Sequence, residues 1–249
     1  MVASYHPRPN DVGKPVKIAA PHRNNAPSTW SDPCAIACCV PDGPMPNMLN
    51  GIPVASWVAA PNTVAAWEQL AVSEFDEPAF EPPVGLRHAA GVVIVEPDGR
   101  IWLVCPTNQF GGYAATFPKG TVDLGASLRA CAVREAFEES GLQVRLTGFL
   151  VDVKRTTSFA RYYLATRIGG SPADAGWESQ ACMLVPVIVL ADLASHASDV
   201  LTIAVLREYS KRVFDGAGSG ADSNDIVDCL RRRQLAMSGI QTQSFTGDL

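Results

Sequence analysis

The chain has 249 residues, 47% hydrophobic and 18% charged. That is enough apolar material for a substantial core and excludes global disorder. Twenty Lys and Arg against 25 Asp and Glu leave a net charge of −5, without the overall basic footprint that duplex nucleic acid requires. No run approaches the ~20 apolar residues of a membrane span. The cysteines number seven, an odd count, and do not form a disulfide pattern. The expectation is a soluble, reduced, cytoplasmic protein with neither duplex nucleic acid nor membrane as partner.

Fourteen of the 19 prolines lie at or before Pro83, so residues 1–85 form a proline-rich N-terminal extension. Its lead, to about residue 46, reads as extended and turn-rich. A short strand is expected at Ile52–Val58, and a helix at Asn62–Val72 capped by Asn62. This is too little to bury a core alone, so the extension should pack on the main domain or on a second subunit. A homodimer is one outcome.

Residues 86–215 read as the main domain. Gly91–Val95 and Ile101–Cys105 flank a Pro97-Asp98-Gly99 turn, the signature of a hairpin. A glycine-rich loop, Asn108–Gly112, leads to Phe117-Pro118-Lys119-Gly120. Ser127–Ser140 reads as a helix closed by Gly141. Strands follow at Val144–Val153 and Tyr162–Arg167, then an edge strand at Cys182–Leu190 carrying Pro186. Leu201–Phe214 reads as a surface helix. Residues 216–249 hold a glycine break and an amphipathic stretch, Ile226–Met237. The order of strands and helices places the chain in the α/β class, as a mixed β-sheet with helices against it.

The helix at 127–140 carries the chemistry. Glu135, Glu138 and Glu139 fall at i, i+3 and i+4 on one face. Like charges so spaced repel by about 0.2–0.5 kcal/mol per pair. Either a hard divalent cation with oxygen ligands offsets that repulsion, or the face is simply solvated.

The wider pattern is Gly120, five residues, Ala126, seven residues, then Arg134-Glu135-Ala136-Phe137-Glu138-Glu139-Ser140-Gly141-Leu142. It resembles the box of the Nudix hydrolase family, with Ala126 in place of a glutamate and Ala136 in place of a larger aliphatic residue. The resemblance implies an α/β/α sandwich and hydrolysis of a nucleoside diphosphate linked to another moiety, with Mg²⁺ or Mn²⁺. It further implies that Glu135, Glu138, Glu139 and the Gly120 backbone form the metal site, with Arg134 orienting the carboxylates. The glutamate replaced by Ala126 is in the family mainly a loop anchor.

Glu178 is the candidate for a further catalytic carboxylate. Lys154, Arg155, Arg161 and Lys119 are candidates for holding phosphate, and Phe110 and Tyr113 for stacking on a base. Arg87 is a weaker candidate for a phosphate contact. For the small-molecule substrate, the lean is to ADP-ribose or a nucleotide sugar, giving AMP and a sugar phosphate. Alternatives are a dinucleoside polyphosphate, a diphosphoinositol polyphosphate (if Lys119, Lys154, Arg155 and Arg161 build one basic pocket), or a nucleotide sensor without turnover. Cys34, Cys38 and Cys39 with His22 lack the paired spacing of a zinc site.

Overall fold

The computed structural model describes residues 3–215; the expected glycine break and C-terminal amphipathic stretch lie outside the described residues. The N-terminal third contributes short strands β1 (Ser4–Tyr5), β2 (Lys17–Ile18), β3 (Ala37–Cys39), β4 (Met48–Leu49) and β5 (Ile52–Pro53). A helical turn, α1 (Ser28–Ser31), precedes β3, and helix α2 (Val64–Leu70) follows β5. The main domain runs β6 (Arg87–Val95), β7 (Ile101–Pro106), β8 (Lys119–Thr121), α3 (Leu128–Ser140), β9 (Leu142–Lys154), β10 (Ser158–Gly170) and β11 (Ser179–Val185). It closes with α4 (Leu190–Leu193) and α5 (Val200–Asp215).

A seven-stranded mixed sheet in the order β3-β11-β7-β6-β10-β9, with β8 on β6, forms the centre. β6 and β10 are parallel, and the other neighbours run antiparallel. The apolar run of β6 is buried throughout from Ala89 to Val95, as befits a strand covered on both faces. On one face lie α3 and the N-terminal extension, sharing a core of Trp30, Leu49, Trp67, Val92, Ala132 and Ala136. On the other, Leu190, Ala194, Ile203 and Leu206 of the α4–α5 region cover Val93, Leu103 and Leu164. The α/β layering is therefore the one expected. No helix among the described residues is long and apolar enough to cross a membrane.

The β6–β7 hairpin forms but then opens. Val95 faces Ile101, after which the incoming chain enters the gap, where Thr116 bridges Val104 and β8 pairs Gly91 with Lys119 and Ala90 with Gly120. This wedge sets Lys119 and Gly120 beside α3.

Three elements differ from expectation. β11 is not an edge strand, because β3 from the extension pairs with it. It also ends at Val185, since Pro186 has no N–H to continue the ladder, and the chain coils into helical turns. β5 covers only Ile52–Pro53 of the expected Ile52–Val58 and pairs with β4. Helix α2 is capped by Thr63, whose side chain accepts from Ala66 N at 3.3 Å, not by Asn62.

The extension docks on its own chain, which removes the reason it gave for expecting a dimer. The device is a set of arginines. A proline-rich chain lacks N–H donors and leaves carbonyls without partners, and guanidinium groups of the main domain supply the missing donors. Arg100 donates to Thr29 O (2.9 Å) and Trp30 O (2.5 Å), and Arg129 to Ser73 O and Phe75 O (both 2.8 Å). Arg161 donates to Pro78 O (2.9 Å), and Arg167 to Leu49 O (2.9 Å) and Pro53 O (3.1 Å). Fully buried Glu96 balances Arg167 at 2.5 Å and accepts from Trp102 Nε1 at 2.8 Å.

Candidate active site

The site is built on α3. Ser127 caps its start by accepting from Ala130 N at 3.1 Å. Glu68 of α2 in turn accepts from both the Ser127 N–H (2.6 Å) and its hydroxyl (2.8 Å). Gly141, at φ 67°, closes the helix in the left-handed region where glycine is at no disadvantage. Between these caps the helical period brings Glu135, Glu138 and Glu139 to one face, while Ala130, Cys131, Ala132, Val133 and Ala136 are buried.

The three carboxylates are not equivalent. Glu135 and Glu139 are buried, whereas the Glu138 side chain is 49% exposed. Arg134 draws two of them together, with Nη2 at 2.8 Å from Glu135 and Nη1 at 3.4 Å from Glu138, and also reaches Asp123 at 3.1 Å. Glu139 accepts the Lys119 N–H at 2.9 Å. Glu135 lies so close to the Gly120 backbone that any side chain at position 120 would overlap its carboxylate.

Charge is concentrated here beyond what the protein balances. Burial, then Glu139, pushes Glu135 up to about 9 against the opposing pull of Arg134. Burial raises Glu139 to about 7 against Lys119. Glu138 and Glu178 are also raised, first by desolvation. Among the described residues, no three acidic, histidine or cysteine side chains stand close enough to enclose an ion by themselves. The donors nevertheless suit a hard cation, being all carboxylate oxygens short of countercharge. Mg²⁺ is commonly held by one or two carboxylates, with substrate phosphates and water completing its shell, and these residues fit that arrangement.

Beside the helix lies a cleft of about 700 Å³. Gly120, Glu139 and Glu178 line it together with Lys119, Arg155, Phe110 and Tyr113, seven of the residues singled out in the sequence. Arg87, at the exposed start of β6, lines it too and donates to Thr157 Oγ1 at 3.0 Å. Arg155 is buried, and its guanidinium is engaged within the protein. It donates to Tyr162 OH (2.8 Å), to Asp199 (3.3 Å) and to Tyr113 OH, so it fixes Tyr113 in place. The Tyr113 ring packs on His196 with centroids 3.9 Å apart, and Lys119 Nζ lies 5.1 Å from its centre.

Two expected phosphate contacts do not reach the cleft. Lys154 is exposed at the end of β9 and is not among the lining residues. Arg161 is 2% exposed, and its donors go to Asp152 (2.7 and 2.8 Å), Glu77 and the extension's carbonyls. Lining residues that sequence reasoning missed include Trp177, His196 and Asn108. Trp177 adjoins Glu178 and was open to notice, whereas nothing local marks His196.

Residues 85–201 match the family model of the NUDIX domain, and the chain carries a NUDIX domain over that span. The RNA pyrophosphohydrolase of Caulobacter vibrioides is 36% identical over 111 residues, covering 44% of this chain. The match spans 58% of that relative's length. An Ap4A hydrolase of C. elegans superposes with TM-score 0.43 at 19% identity, covering 51% of this chain and 98% of that one. An ADP-ribose pyrophosphatase of Streptococcus suis gives TM-score 0.40 at 17% identity, over 55% and 96% of the two chains.

Proposed function

We propose that this protein hydrolyses a pyrophosphate bond in a nucleoside diphosphate linked to another group, using Mg²⁺ or Mn²⁺. The observation that carries this reading is the pair of buried, undercompensated carboxylates, Glu135 and Glu139, on the helix beside a cleft that also holds Lys119. Glu135, Glu138 and Glu139 are the residues to hold the cation. Bound there, it would neutralise phosphate oxygens and lower the pKa of a water. Arg134 keeps Glu135 and Glu138 together, and the Lys119 N–H fixes the rotamer of Glu139. Glu178, on the rim, accepts the proton of the attacking water. Lys119 meets the phosphate charge, and positioning in line supplies much of the rate.

The linked group divides the substrate readings. ADP-ribose or a nucleotide sugar suits a cleft of about 700 Å³. The 36% identity to a protein named as an RNA pyrophosphohydrolase favours a triphosphorylated 5′ end, which presents the same anhydride bond. The diphosphoinositol reading loses its basic pocket, since Lys154 and Arg161 lie elsewhere. The test is turnover with Mg²⁺ on ADP-ribose, a dinucleoside tetraphosphate, a 5′-triphosphorylated oligoribonucleotide and a diphosphoinositol polyphosphate. One of the first three should be cleaved, and Glu139→Gln should lower that rate at least about hundredfold. Binding without cleavage of any would favour the sensor reading, which Ala126 motivates.

A further inference from the structure

We propose that Asp199, in the turn between α4 and α5, is a positioning residue of the active site that acts through Lys119. The proposal rests on the hydrolase reading above, in which Lys119 meets the phosphate charge, and deepens it.

Asp199 directly precedes α5, where an aspartate ordinarily accepts N–H groups of the helix's first turn. Among the described residues its side chain accepts from none of them. It is fully buried, and its two oxygens go to two other parts of the domain. Oδ2 accepts from Thr116 Oγ1 at 2.7 Å, and Oδ1 from Arg155 Nη1 at 3.3 Å. Both ends of the Arg155–Asp199 ion pair are buried. Such a pair is a poor source of stability, because removing both charges from water offsets much of their attraction. It is better explained by what it holds in place.

Both oxygens lead to Lys119. Oδ1 leads to its ammonium group: Arg155 donates to Tyr113 OH, and Lys119 Nζ lies 5.1 Å from the centre of the Tyr113 ring. The turn secures that ring from its face as well. His196 packs on it with centroids 3.9 Å apart, while Asp199 N donates to His196 O at 2.8 Å and Ser198 N to His196 Nδ1 at 3.2 Å. Oδ2 leads to the main chain of Lys119: Thr116 bridges Val104 and opens the wedge that ends in Lys119, whose N–H goes to Glu139 at 2.9 Å. One carboxylate outside the glutamate helix thus constrains the lysine's charged end by one route and its backbone by another. Tyr113, Lys119, Arg155 and His196 line the cleft and Asp199 does not, so its effect on a ligand is indirect.

The probe is inorganic pyrophosphate, titrated calorimetrically into the full chain in Mg²⁺, with a melting curve beside each titration. Lys119→Met should weaken binding at least about tenfold. Asp199→Asn offers one acceptor oxygen to two donors and no charge to Arg155, and should weaken binding at least about fivefold. In the Lys119→Met background the same change should matter less than about twofold, because residues that act through one another are not additive. Tyr113→Phe cuts the link to Arg155 and leaves Asp199 with both its partners. It should weaken binding about threefold, again only while Lys119 is present, and it carries the test if Asp199→Asn does not fold. With whichever substrate the parent cleaves, Asp199→Asn should raise KM by a larger factor than it lowers kcat, the mark of binding lost equally from ground and transition states. No binding of pyrophosphate by the parent, parent-like affinity in both variants, or losses that multiply with that of Lys119→Met would overturn the proposal. The hydrolase reading fails separately: a chain that shows this pattern with pyrophosphate and cleaves no candidate substrate keeps the positioning role of Asp199 and loses the enzyme.

Discussion

Gly120→Ala should cost far more activity than stability. Gly120 sits on β8 opposite Ala90, and an added methyl would overlap the Glu135 carboxylate. Either Glu135 leaves its seat and its 2.8 Å contact with Arg134, or the strand shifts. Overpacking of this kind costs about 1–3 kcal/mol. Glu135 regains some hydration as it moves, so the lost ion pair adds little to that sum. At about 2–4 °C per kcal/mol for a chain of this length, Tm should fall by about 2–12 °C, and the protein stays folded at 25 °C. A displacement of about 1 Å at a reacting centre costs on the order of hundredfold in rate. The assay is a melting curve beside initial rates in Mg²⁺. Gly148→Ala is the control, since an added methyl there meets nothing within 4 Å. A Gly120→Ala chain with its rate within threefold of the parent would refute the claim that the Glu135 seat matters.

Arg167→Ala should destabilise by about 3–5 kcal/mol, because Glu96 would be left buried and unpaired, and Tm should drop by on the order of 10 °C; a drop under about 2 °C in calorimetry would contradict this. Asp123→Ala should barely change Tm, since its ion pair with Arg134 is exposed, yet lower turnover several-fold; adding Ala126→Glu should restore the rate, and failure to do so would mean that the two acids are not interchangeable anchors. His6 is held below its usual 6.5 by burial, against hydrogen bonds to the Arg8 and Ser179 backbone that raise it. The unfolded chain therefore takes up that proton first, and stability falls as pH drops through about 6.5. Protease cleavage within residues 7–22 should rise between about pH 7 and pH 5 and lose that slope in His6→Gln; matching slopes in the two chains would reject it.

The main domain was legible because its signals are local. The apolar runs of β6 and β7, the Ser127 and Gly141 caps, and the spacing of Glu135, Glu138 and Glu139 each depend on neighbours within a few residues. The extension was not legible, because its order comes from distant donors. Arg167 reaches Leu49 across 118 residues and Arg161 reaches Pro78 across 83. The same fact misled the site reading, since a basic residue on a strand looks alike whether it meets a phosphate or a carbonyl. Asp199 shows the other blind spot. It is fully buried and fixes Thr116 and Arg155, yet its local sequence is that of an ordinary acidic loop.

Ala126 poses a question that the structure answers from outside the motif. The loop from Thr121 to Ser127 has no glutamate at its usual anchor, yet it is fastened at two points. Asp123 takes Arg134 at 3.1 Å, and Glu68 takes both donors of Ser127. Glu68 also places negative charge at the N-terminus of α3, where the helix dipole favours it. It belongs to the proline-rich extension, as does Asp11, which accepts from Trp177 Nε1. A fragment of residues 85–201 would therefore carry the whole motif and lack the groups that fasten Ser127 and Trp177. The extension thus fastens the loop of the altered motif through Glu68, and Asp123 of that loop holds Arg134, so carboxylates stand on both sides of a position 126 that has none.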